Sequence, residues 1–227
     1  PRSRGLGDVY KRQNNNFNRT NLLFNTDAKI FSWATFSLNT SLRQSNELRP
    51  GVGSPRSIIN KSLYMLPTLS AAKELDGNWG YGKNGDNPAA AANASGENVS
   101  KGSESIVSGT LTLNPFKGFE VLGQYSLRTV TGRNRSLVIP YTVSLKGNVL
   151  GQYPPQDELT ESWNETIRNF YRFQTSYTKT IAKHTAKILV GYQGEDNTNS
   201  SFFGAKQGFT LGKYYLSNGL GTSATSG

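Results

Sequence analysis

The stretch Asn21-Leu-Leu-Phe-Asn-Thr-Asp-Ala-Lys-Ile-Phe-Ser-Trp-Ala-Thr-Phe-Ser-Leu-Asn-Thr-Ser-Leu-Arg43 decides how this chain is read. Leu22, Phe24, Thr26, Ala28 and Ile30 alternate with Asn21, Asn25, Asp27 and Lys29, and Leu23 is the exception. Successive side chains of a strand point to opposite faces, so a two-residue period gives one apolar face and one polar face. After Phe31 and Ser32 the pattern resumes, with Ala34, Phe36, Leu38 and Leu42 against Thr35, Ser37, Asn39, Ser41 and Arg43. Two half-apolar strands joined by a short turn are predicted.

The same design occurs twice more. Val107, Gly109, Leu111 and Leu113 lead through Asn114 to Gly118 into Phe119, Val121, Gly123, Tyr125 and Leu127. Tyr171, Phe173, Thr175 and Tyr177 precede a turn near His184 and a return through Ala186, Ile188, Val190 and Tyr192. Each segment matches the 9 to 11 residues that a tilted strand needs to cross a hydrocarbon layer. The connections between the pairs are long, roughly 35 to 60 residues, so tight turns and long loops alternate. A barrel in an outer membrane has short turns on one rim and long loops on the other. Phe31, Trp33, Phe116 and Phe119 stand beside the turns, where an aromatic girdle is expected. The fold expected is all-β: antiparallel strands of a partial transmembrane β-barrel with long extracellular loops. Half-buried sheets of soluble sandwiches also alternate, so a soluble glycan-binding β-sandwich is the alternative from another class.

Composition agrees with much wetted surface: 35% hydrophobic residues, 24 glycines and a mean hydropathy of -0.54. No apolar run of 18 residues offers a transmembrane helix. With no cysteine there is no disulfide framework and no thiolate metal site. Residues 1–13, PRSRGLGDVYKRQ, lack alternation, resemble translated sequencing-adapter read-through, and are set apart from the barrel portion at 14–227. Without them the net charge falls from +10 to +7, spread rather than clustered, and no nucleic-acid partner is expected.

Asn21 to Arg43, with its Asn-x-x-x-Asn-x-Asp strand running through a Trp-containing turn, resembles the barrel domain of the SusC/RagA family of TonB-linked outer-membrane transporters. So do Phe170–Lys179 and His184–Glu195, with LVGYQGED leading to a loop that contains KQGF and YYLSNG. The likeness covers about residues 17 to 227. It implies a 22-stranded barrel around a plug, a SusD-like surface lipoprotein partner, coupling to the TonB complex through parts outside this sequence, and import of oligosaccharides or peptides. It implies the outer membrane of a Gram-negative bacterium, with outer-membrane lipid around the wall. Six clear strands cannot close such a barrel, so a middle piece of a longer protein with two open edges is expected. A siderophore receptor or a porin is the alternative of similar barrel type.

Loops carry recognition more often than walls do. The first loop, about Gln44 to Glu104, should open with a helix capped by Ser54, with Pro55 in its first turn, Ile58, Ile59, Leu63 and Leu66 on its apolar side, and Pro67 as its stop. Trp79 and Tyr81 then sit among Asn and Asp residues, suited to stacking on a sugar ring; internal packing of the loop is the favoured alternative. The second loop, Thr129 to Trp163, contains the run Leu137–Tyr141, a candidate extra hairpin. Its Tyr153 and Trp163 are further ligand-contact candidates, again with loop packing favoured.

Asp76, Asn78, Asn84, Asp86 and Asn87 lack the order and closing glutamate of an EF-hand, so no metal is expected. No cofactor motif is present. The single histidine, His184, falls in a turn and builds no catalytic triad, and Asp157, Glu158 and Glu161 read as a solvated loop rather than a glycosidase pair. An enzyme is not expected.

Overall fold

The structure is a computed structural model that describes residues 15–65, 71–209, 212–220 and 225–226. The set-apart leader at 1–13 and the helix-ending Leu66 and Pro67 lie outside the described residues. Three long antiparallel hairpins form the wall. They are β1 (Asn16–Phe31) with β2 (Ala34–Pro50), β4 (Gly96–Phe116) with β5 (Phe119–Val138), and β8 (Glu158–Ile181) with β9 (His184–Gln207). The wall order is β1-β2-β4-β5-β8-β9, and the two-residue β10 (Thr225–Ser226) pairs with β9 beyond it. The sheet is all antiparallel and not closed; β1 is exposed along its whole length and has a free edge.

The register explains why the alternation matters. Leu42 faces Leu22, Phe36 faces Leu111, Leu127 faces Val107, and Tyr177 faces Ile188, so the apolar residues of all six strands fall on one face. Residues directly opposite in an antiparallel pair share a face and touch, so a register slip of one residue would turn every apolar side chain over. The belt is bounded above by Tyr125, Tyr171 and Tyr192. Below, Phe31 stacks on Trp33 with centroids 5.3 Å apart, and Phe116 stacks on Phe119 at 4.9 Å.

The belt also descends across the sheet. Its upper limit passes from Leu22 and Leu42 to Val107, two residues below the Ser105 that pairs with Leu42. It then drops to Tyr171, two below the Asn169 that pairs with Leu127, and to Tyr192, two below the Gly194 that pairs with Tyr171. Six residues are about 20 Å of strand and five strand spacings about 24 Å, so strands cross the belt at about 40°. That is the tilt of strands in membrane barrels, 35–45°. Along β2 the belt runs from Ala34 to Leu42, about 27 Å of strand and about 20 Å of height at that tilt, close to the roughly 25 Å band of such barrels.

The strands are longer than sequence patterning predicts, from 16 to 24 residues. Thr129–Val138 and Glu158–Trp163, predicted as loop, continue β5 and β8 in unbroken register. The first loop is correspondingly shorter, running from Pro50 to Gly96. Above the belt both faces are mainly polar with scattered apolar residues, so the backbone ladder persists where side-chain periodicity has vanished.

The two connections fold together as a cap. Helix α1 (Pro55–Tyr64) has Ser54 as its N-cap, with a reciprocal bond to Ser57 and Pro55 in its first turn, as the sequence predicts. Of its expected apolar side only Ile58 is buried, against Ala91 and Ala92; Ile59 and Leu63 face solvent. Helix α2 (Pro88–Asn93) is capped by Asn87. Strands β3 (Trp79–Gly80), β6 (Tyr141–Leu145) and β7 (Asn148–Tyr153) make a small sheet, with β3 parallel to β6. The predicted extra hairpin exists, displaced to Tyr141–Tyr153, while Leu137 and Val138 end β5.

The cap meets the wall at a close backbone junction. Gly51 N–H donates to Gly96 O at 3.0 Å and Ile139 N–H to Ser95 O at 2.9 Å. A Cβ on Gly51 would stand 2.2 Å from Ser95 O and 2.4 Å from Leu137 O, so the junction needs glycine there.

Candidate functional site

Asn87 organises the cap. Its Oδ1 accepts the N–H groups of Ala89 and Ala90, completing the N-terminus of α2. Its Nδ2 donates to the carbonyls of Ala71, Ala72 and Gly80 at 2.7–3.2 Å, and its own N–H donates to Tyr141 Oη at 3.2 Å. A fully buried amide with every group partnered fixes the two loops on each other. Around it Ala90, Tyr141 and Val143 form a core against which Trp79, Tyr81 and Tyr153 pack. Burial pushes the Tyr141 hydroxyl well above its ordinary value.

Three of the four aromatic candidates therefore come together. Trp79 has Lys73 Nζ 4.7 Å above its ring, and Tyr81 N–H donates to Ser144 O at 2.8 Å. Tyr153 tilts against Tyr141 at 5.8 Å and also lines an open pocket of about 340 Å³ with Lys61, Lys83, Asn84 and Asp86. Lys61 pairs with Asp86 Oδ2, while the buried Asp86 Oδ1 has no hydrogen-bond partner among the described residues. An aromatic wall beside the Lys61–Asp86 ion pair and the Lys83 ammonium can hold a polyhydroxylated or zwitterionic solute by stacking and directed hydrogen bonds.

The acidic and amide residues weighed for a metal do not converge. Asp76 Oδ1 accepts from Asn78 N–H at 3.0 Å and from Ser144 Oγ at 3.1 Å, and these bonds, the Asn78 contacts first, hold its carboxyl below the usual carboxylate range. Asp86 pairs with Lys61, and Asn87 is committed to the α2 cap.

The polar face of the wall carries a charge ladder that the sequence reading missed. Arg43 Nη2 and Arg128 Nη2 each lie 2.6 Å from a different oxygen of Glu104. Farther along, Arg168 Nε lies 3.2 Å from Glu195 Oε1 at an angle too poor for a hydrogen bond, so that contact is only an ion pair. Arg172 adds a hydrogen bond to Gln174. These side chains lie on the face opposite the belt, most of them just above its upper limit, and only the pairing register shows that they are neighbours.

Trp163 joins neither group. It belongs to β8 instead of the predicted loop, directly between Arg133 of β5 and Phe202 of β9, on the belt face but above the belt.

No family model matches the chain, and no curated protein does. Solved structures do. The chain is similar to the RagAB peptide importer in the 'closed-closed' state, with a TM-score of 0.70 and 18% identity over 95% of this chain. It is also similar to the RagAB peptide transporter, with a TM-score of 0.68 and 18% identity. The chain spans about a quarter of the length of those chains, 25% in each case. What the likeness establishes is the fold: a wall of tilted antiparallel strands shared with transporter chains.

Proposed function

We propose that this chain is a wall-and-cap segment of a TonB-dependent outer-membrane importer of oligosaccharides or peptides. The observation that carries the reading is the apolar belt, bounded by aromatic girdles and crossed at about 40°, with a polar, arginine-bearing face behind it. Lipid would cover the first face, and the aqueous interior would meet the second. The cap would contact solute through the pocket at Tyr153 and Asp86, with Trp79 and Tyr81 supporting that surface. The resemblance in the Asn21–Arg43 stretch and the likeness to RagAB chains together support a SusD-like lipoprotein above the cap and a TonB-coupled plug supplied by other parts of the protein. The proposal is of binding and passage without bond chemistry.

The test uses the full-length protein containing this chain, reconstituted in bilayers with spin labels at positions 36, 121 and 188. Collision with lipid-soluble oxygen is expected there, and collision with a water-soluble relaxant at positions 37, 124 and 193 on the opposite face. Water contact at the first three positions overturns the reading.

A further inference from the structure

We propose that the row Lys101, Arg133, Trp163 and Phe202 is a binding site for the anionic saccharide headgroup of an outer-leaflet glycolipid. The inference rests on the membrane reading above.

The four residues are direct neighbours across four strands: Lys101 faces Arg133, Arg133 faces Trp163, and Trp163 faces Phe202. They line a cavity of about 390 Å³ with Arg135 and Glu161. Arg135 is already committed, its Nε 3.1 Å from Glu161 Oε1 and its Nη2 donating to Tyr214 O at 2.9 Å. Lys101 and Arg133 are exposed and have no ion pair among the described residues. Like charges directly opposite each other in an antiparallel pair repel at a Cβ separation of about 5 Å. An anion seated between them turns that repulsion into attraction, and a guanidinium beside an ammonium suits a phosphate or carboxylate. On the other half of the row, Trp163 is half-buried and Phe202 is exposed, so aromatic surface is available beside the charges. Cation, cation, aromatic, aromatic matches a sugar bearing an acidic group, with stacking for the ring and charge for the anion.

Position selects the source. Trp163 stands eight residues above Tyr171, and Arg133 eight above Tyr125, on the belt face of the same strands. Eight residues are about 27 Å of strand, or about 20 Å of height at the belt's tilt. A phospholipid headgroup layer is only about 5 to 7 Å thick, so an ordinary lipid does not reach this row. A glycolipid whose acyl chains lie against the belt and whose headgroup carries several sugars does. Ser103 Oγ and Thr131 Oγ1, 3.0 Å apart between belt and row, offer hydroxyls along that path. The row is on the face opposite the arginine ladder, so it is not part of the passage.

The test is native mass spectrometry of the full-length protein in detergent, titrated with purified lipopolysaccharide carrying a phosphorylated core, its dephosphorylated form, and its deacylated saccharide. Bound glycolipid is expected to fall at least tenfold on dephosphorylation and at least tenfold in the Lys101→Glu/Arg133→Glu double variant. Trp163→Ala should weaken it several-fold, and Lys29→Glu, on the opposite face near the first turn, should leave it unchanged. The deacylated saccharide should bind at least tenfold more weakly than the acylated form. Equal binding by phosphorylated and dephosphorylated forms, or an unaffected double variant, overturns the proposal. Equal binding of the deacylated saccharide overturns the glycolipid source and makes the row a site for a soluble sugar. Insertion into bilayers is scored separately: a protein that inserts yet ignores the glycolipid sinks this inference alone, and one that fails to insert sinks the membrane reading with it.

Discussion

The backbone N–H of Asn87 donates to the hydroxyl of Tyr141 at 3.2 Å, joining two loops across 54 positions of chain. One bond of this kind contributes about 1 kcal/mol net, whereas removing the acceptor and leaving its buried donor unmet costs about 1 to 3 kcal/mol. Tyr141→Phe should therefore destabilise the cap by roughly 2 kcal/mol. Asn87→Ala, which also removes an N-cap and leaves three carbonyls without their donor, should cost about 3 kcal/mol or more. Hydrogen exchange over residues 71–95 checks both, with protection in β4 and β5 unchanged.

The junction of cap and wall should be intolerant of a single methyl group. Gly51→Ala drives a Cβ into two backbone carbonyls and should cost roughly 1 to 3 kcal/mol. Gly123→Ala, with nothing within 4 Å of its Cβ, should change stability by no more than about 0.5 kcal/mol. Thermal conversion of the folded to the unfolded band on gels separates the two.

Reversing the polarity of one belt position should be costly. Leu38→Arg, near mid-belt, should lose about 2 to 4 kcal/mol of folding free energy in bilayers. Asn39→Arg on the opposite face should be close to neutral. Denaturant titration in vesicles measures the difference, and equal effects would contradict the assignment of faces.

Glu104 holds Arg43 and Arg128 at once, with both guanidiniums nearly half exposed at 46% and 40%. Solvent screening limits the pair, so Glu104→Gln should cost roughly 1 kcal/mol, and less at high salt. After that change Arg43→Ala should cost almost nothing further, which a double-mutant cycle reads directly.

Two groups set the pH response of the cap. Asp76 titrates below its ordinary 3.8 because the fold favours its charged form, so its contribution is complete above about pH 5 and is lost as pH falls through the lowered value. Tyr141 is shifted the other way: the fold favours its neutral form, so stability is complete below its ordinary 10.0 and declines as pH rises beyond it. Hydrogen exchange at the Asn78 and Asn87 amides against pH should show the two losses at opposite ends of the scale. In Asp76→Asn the acid loss at Asn78 should disappear.

The wall within the belt is legible because apolar and polar demands alternate residue by residue, and Phe36, Val121 and Ile188 announce their face. Above the belt that demand ends. Thr129 to Val138 and Glu158 to Trp163 look like loop because neither face carries a regular apolar alternation, and only pairing reveals the strand. Trp163 was misplaced for the same reason. Helix α1 was legible through Ser54 and Pro55. Helix α2 carries an equivalent signal, Asn87 before Pro88 and four alanines, in a polar stretch where a capping amide and a metal-ligating amide look alike. Packing of Trp79, Tyr81 and Tyr153 onto Tyr141 depends on contacts between loops distant in sequence, which no local pattern encodes.

The three tight turns, at Ser32–Trp33, Lys117–Gly118 and Ala182–Lys183, all lie on one rim, so Asn16 and Gln207 both open onto the other. The wall from β1 to β9 thus has even parity, beginning and ending at the same side, and β10 opens the next descent beside β9. Hairpins of this kind can be duplicated, deleted or exchanged between relatives without inverting anything downstream, which leaves the loops free to diversify while the polarity of the whole assembly is inherited intact.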